Sequence, residues 1–140
     1  MTVTADELAA LALALAREPA SEAERRCAIS RAYAGARRLV QALEPHLEAP
    51  AADTPPTTDR LIRALLAAEC PVADASTRQR LRTLGYLLKR LKERQVTADH
   101  ALEQRIGSEH AEHALQGLER IEAVLDELSA LLPEPHQARD

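Results

Sequence analysis

Phenylalanine and tryptophan are missing from this chain, and only two tyrosines stand among its 140 residues. So few aromatic and β-branched residues argue against a strand-rich fold, and the abundance of Ala and Leu, both good helix formers, points to an all-α class. Cysteine is scarce too. Cys27 and Cys70 lie far apart with no further Cys around them, which argues against a disulfide scaffold and fits a reducing compartment. Both are expected to be small buried residues. The opening stretch, MTVTADELAALALALARE, lacks the basic region of an export signal, and its apolar run is too short to span a bilayer. A cytoplasmic protein with no membrane association is therefore expected. Also missing are a Gly-rich phosphate loop, a dinucleotide fingerprint and a Ser/His/Asp order that would suggest nucleophilic catalysis.

Net positive charge is lacking as well. The chain carries -4, so affinity for nucleic acid would need a local patch. Residues 78 to 94 hold such a patch, seven basic residues against one acid, whereas residues 99 to 134 hold nine acids against two arginines.

What is present is helical periodicity with clear stops. Thr4 and Glu7 have capping-box spacing, predicting a helix from residue 5 to about 17 before Pro19. Ser21 and Glu24 open a second helix on the stripe Ile29, Ala32, Tyr33, Ala36, Leu39, Val40 and Leu43, which Pro45 ends or bends. The stretch EAPAADTPPTTD predicts an exposed loop. A third helix over about 59 to 68 presents Leu61, Ile62, Leu65 and Leu66. A fourth, about 76 to 95, presents Leu81, Leu84, Leu87, Leu88 and Leu91. A short segment around 98 to 106 leads to a break and new cap at Gly107 and Ser108. The last helix runs to about 132 on Ala111, Ala114, Leu115, Leu118, Ile121, Leu125 and Leu128. Short connections imply an antiparallel bundle of four to five helices, one domain over residues 1 to 132, with 133 to 140 expected to be a mobile tail. Gly85 and Gly117, inside helices, are expected to allow close helix approach, either within the chain or across a dimer.

Chemistry concentrates at the end of the fourth helix. Arg94 continues the stripe of Leu84, Leu87 and Leu91, so its guanidinium needs a partner, a ligand or a mouth to water, unless it only snorkels at the helix end. Val96 and Thr97 follow, and Thr97 is suited to cap a new helix, so a turn is expected between Arg94 and His100. Such a turn would let both side chains converge; along an unbroken helix, six steps would set them about 240° apart. An arginine and a histidine at one pocket, without Cys or carboxylate ligands, suit phosphodiester chemistry: the arginine holds phosphate oxygens and the histidine moves protons. In RNA the 2′-hydroxyl is an internal nucleophile, so neither metal nor cofactor is required. Arg78, Arg82, Lys89 and Lys92 form a basic ridge on the same helix, either a solvated face or a surface that steers RNA toward Arg94. No aromatic platform accompanies it, so base stacking is not expected. His110 and His113 share a face with Glu109 and Glu112, but no other His or Cys completes a metal site. Arg31 is either a buried ion-pair partner or a second phosphate contact, and the former is expected.

Two stretches resemble the HEPN domains, small helical bundles found in prokaryotic toxins and RNA-cleaving defence proteins. EAERRCAISRAYAGAR, residues 22 to 37, is similar to the family's first long helix through Ser30, Arg31, Ala32 and Tyr33. LGYLLKRLKERQVTADHAL, residues 84 to 102, is similar to the later helix ending in Arg, four to six arbitrary residues and His, matched by Arg94 and His100. The resemblance covers about residues 21 to 132. It implies a HEPN-like fold and a homodimer in which Arg94 and His100 of both copies meet in one cleft and cut RNA without metal, controlled by an antitoxin or nucleotidyltransferase partner. Gln95 stands where many members carry Asn or Asp, and Leu102 where the toxins silenced by nucleotide transfer carry Tyr. A related subgroup ends this helix in Arg-Asn-x-Ala-Asp-Tyr, and aligning it on Ala98, Asp99 and His100 sets Gln95 at the arginine position. The other reading is a catalytically inactive bundle that binds a protein partner or a nucleotide.

Overall fold

A computed structural model of the chain describes residues 3–47, 58–68 and 74–132. The described residues form helices α1 (Ala5–Ala16), α2 (Glu22–Gln41), α3 (Thr58–Ala67), α4 (Ala75–His100) and α5 (Ser108–Leu131), with one 3-10 turn at Glu44–His46. The expected proline-rich loop falls almost wholly, and Cys70 and the tail at 133 to 140 fall entirely, outside these residues.

The helices begin where side chains satisfy their first amides. The Glu7 amide donates to Thr4 Oγ1 at 3.1 Å and the Glu24 amide to Ser21 Oγ at 3.1 Å, with each glutamate reaching back to the cap's own N–H. α4 starts one residue earlier than expected, because Asp74 accepts from the Thr77 amide at 2.8 Å.

Residue pairings across the seams fix the directions. On α4 and α5, Leu91 approaches Gly117 while Arg80 pairs with Glu127 at 2.9 Å, so one number falls as the other rises and the two helices run antiparallel. The same holds for α3 and α4, where Leu65 and Leu66 sit against Gly85 while Asp59 pairs with Lys92, and α1 packs on α2 with Ala5 and Leu8 at Gly35. The result is an all-helical bundle in which α2, α4 and α5 pack on one another, α1 covers α2 and part of α5, and α3 covers α4.

The expected stripes form the core. Ile29, Val40, Leu65, Leu81, Leu84, Leu88, Leu91, Ile121 and Leu128 are fully buried, each contributing about 1.5–3 kcal/mol by leaving water. Gly85 allows the closest seam: a Cβ there would lie 2.9 Å from Leu65 Cβ and 3.1 Å from the Leu66 backbone nitrogen. Gly117 makes no close approach within one copy. A Cβ on it would meet only Leu91, at 4.0 Å, so it marks an opening instead of a tight contact. Cys27, expected inside, is exposed, because its position on α2 faces away from the stripe of Ile29 and Ala32.

Candidate nucleic-acid interface

The expected turn between Arg94 and His100 does not form. α4 continues to His100, and the chain leaves the helix only at Ala101. The cause lies far off in sequence. Arg26 of α2 reaches the end of α4 and donates to the carbonyls of Ala98 at 2.8 Å, Ala101 at 3.3 Å and Leu102 at 3.3 Å, and also to Gln104. The Ala98 carbonyl is one that a helix end leaves without a partner, the other three belong to the cap and the connection beyond it, and a cation there also complements the helix dipole. Glu22 completes the lock by accepting from the Ile106 amide at 3.1 Å while pairing with Arg26 at 3.5 Å. Ala98 is buried at the junction, and Asp99 accepts from Ser30 Oγ at 3.3 Å and from Gln95 one turn back. With that many contacts favouring a continuous helix, the weak preference of Val96 and Thr97 against it is overridden.

The continuous helix redistributes the candidate residues. Arg94 is half-buried and turns toward α5, as the leucine stripe implied. His100 is exposed at the last residue of α4, about 240° around the axis from Arg94, so within one chain the two do not meet. The basic ridge has the opposite relation to them from the one expected. Lys89 and His100, eleven residues apart, fall within about 20° of each other on the helix, while Arg94 lies on the other side. The ridge leads to the histidine, not to the arginine. Arg78, Arg82 and Lys89 are exposed, and Lys92 is held by Asp59, whose carboxyl that lysine keeps below its ordinary range. Arg31 is exposed, and the arginine with the shielded side chain is Arg26, at 11% exposure.

Arg94 has other company. Toward the start of α5 it lines a hollow of about 320 Å³ with Arg90, Glu93, Thr97, Ile106 and His110. The Gly107 amide donates to His110 Nδ1 at 3.0 Å, which fixes the ring. The 3.5 Å approach of Glu109 to the same Nδ1 is longer and competes for an atom already used as an acceptor. Further along the seam, Arg90 and Arg94 line a second groove, of about 380 Å³, with Arg120, His113, Gln116 and Thr83. No carboxylate lines it. Sequence reasoning missed Arg90, Arg120 and Arg26. Arg90 stands one turn before Arg94, and Arg120 is the only Lys or Arg in an acid-rich α5, so both carried a signal; the reach of Arg26 carried none.

Among the described residues no three His, Cys, Asp or Glu side chains gather as a metal-binding group, and no helix is long and apolar enough to cross a membrane. Compared with known proteins, the chain matches no protein-family model, no curated protein and no solved structure.

Proposed function

We propose that this chain is a HEPN-like, metal-independent RNA endonuclease that works as a homodimer, in the manner of a prokaryotic toxin or defence effector. One observation carries the reading: Arg94 is half-buried at a hollow that it shares with Arg90, Glu93, Thr97 and His110, and among the described residues no ion pair engages it. A second supports it. The two stretches that resemble the family touch each other through Ser30 and Asp99.

In the proposed reaction the 2′-hydroxyl of RNA attacks the adjacent phosphorus and gives up its proton. The 5′-oxygen leaves and takes one, and a 2′,3′-cyclic phosphate remains. Arg94 holds the phosphate oxygens as charge grows on them, and His100 carries a proton. Because α4 sets these side chains on different sides, Arg94 of one copy works with His100 of the other. The ridge of Arg78, Arg82, Lys89 and Lys92 then guides the strand to the histidine. An antitoxin or nucleotidyltransferase-like partner controlling this activity fits the same reading.

The test is RNA incubated with purified protein in EDTA, with Arg94→Ala and His100→Ala alongside. Cutting by wild type that each variant abolishes supports the proposal. RNA left intact by all three, or cut equally by all three, refutes it.

The separation of Arg94 from His100 within one chain favours a second reading, a catalytically inactive bundle that binds a protein partner or nucleotide. A solution mass of one copy at high concentration, with no RNA cleavage, selects it over the first.

A further inference from the structure

The groove between α4 and α5 combines three guanidinium groups, an imidazole and a side-chain amide on a chain whose net charge is -4. Arginine has five donors and no acceptor, so Arg90, Arg94 and Arg120 bring donors that the groove itself cannot satisfy. Among the described residues no ion pair engages any of the three, although α5 is rich in acids. Arg90 lies over the Tyr86 ring, 5.9 Å from its centre, which orients the guanidinium without neutralising it. Like charges gathered this way repel unless an anion comes between them.

Shape points in the same direction. At about 380 Å³ the groove falls within the roughly 300–1,000 Å³ of small-molecule sites. Gly117 lies along its wall, where any larger side chain would occupy it. Arg90 and Arg94 stand one turn apart, about 6 Å along the axis, a separation suited to gripping neighbouring phosphates from one side while Arg120 closes from α5.

We infer that the α4–α5 groove binds a ligand carrying adjacent phosphate groups, gripped by Arg90, Arg94 and Arg120 with His113 and Gln116 as further donors. The chemistry is shared by the backbone of a single nucleic-acid strand and the phosphate chain of a nucleotide. It is a site distinct from the ridge of Arg78, Arg82 and Lys89, and it stands whether or not the protein cuts RNA.

The experiment is fluorescence anisotropy on the full chain at low salt in EDTA. The probes are a short labelled 2′-deoxy strand, which lacks the internal nucleophile, and labelled ATP. Wild type is expected to bind at least one. The double variant Arg90→Gln/Arg120→Gln is expected to weaken binding about tenfold or more and to reduce the salt slope by about 1.4, two phosphate contacts on a single strand. Gly117→Met, which fills the groove at unchanged charge, is expected to weaken binding comparably, while the charge-matched Arg37→Gln/Arg38→Gln, exposed on α2, stays within about threefold of wild type. Melting curves establish that each variant is folded. Binding of the strand without competition from ATP identifies a nucleic-acid backbone; displacement of the strand by ATP identifies a nucleotide. No binding of either probe by wild type overturns the inference, as does full affinity in the folded Gly117→Met protein.

Discussion

Arginine at the end of α4 and arginine along the middle of the α4–α5 seam are used in opposite ways. On the flank toward α2, Arg26 is nearly enclosed and its donors are used on backbone carbonyls at the end of α4. On the flank toward α5, Arg90, Arg94 and Arg120 line an open groove with no carboxylate among them. The glycines differ in a similar way: Gly85 sits on a third seam, where α3 leaves no room for a Cβ, and Gly117 where one would touch almost nothing. A closed seam uses its polar groups to hold the fold together. The open stretch of the α4–α5 seam leaves the guanidinium groups of Arg90 and Arg120 exposed, although Arg80 farther along it pairs with Glu127.

The largest expected effect breaks the closed flank. Arg26→Ala should cost about 1.5–3 kcal/mol, the range for hydrogen bonds to a charged group, because carbonyls of residues 98 to 104 lose their donor. Thermal melting measures the loss, and hydrogen exchange should rise at residues 97 to 106; an unchanged melting temperature would mean water replaces the guanidinium at little cost. Next comes Gly85→Ala, where the new methyl meets the Leu66 backbone and should cost about 1–3 kcal/mol. Gly117→Ala makes the matched control, expected to be neutral or stabilising by denaturant titration.

Smaller still is Arg94→Ala, which should move stability by less than about 0.5 kcal/mol while abolishing RNA cleavage. A large loss of stability there would make Arg94 a structural residue like Arg26. The smallest effect concerns pH. The Thr77 amide holds the Asp74 carboxyl below its ordinary range, so folding gains from the charge above that range and loses the gain as pH falls through the folded value. Asp74→Asn should therefore melt with a weaker acid dependence than wild type, most visibly at the start of α4.

Much of this was legible in the sequence. Capping boxes at Thr4 and Ser21 and the leucine stripe of α4 are local patterns, and the structure follows them because burial and capping act on the same residues that carry the signal. The end of α4 was not legible. Val96 and Thr97 favour a break, and the group that prevents it, Arg26, lies 72 residues from the Ala98 carbonyl to which it donates. Arg31, two residues before Tyr33, drew the expectation of burial, whereas one turn and a residue earlier on α2 the geometry puts Arg26 at the helix junction. The α4–α5 groove needed the register of α5 against α4, which no pattern in α4 alone encodes.

The pairing of Arg94 with His100 across two copies is tested most directly by complementation. Arg94→Ala and His100→Ala proteins, each inactive, are mixed under conditions that exchange subunits, and RNA cleavage is measured in EDTA. About half of the dimers formed are mixed and each holds one intact Arg94–His100 pair, so roughly a quarter of wild-type activity should return. A mixture as inactive as its components, beside an active wild type, would contradict a site shared between copies.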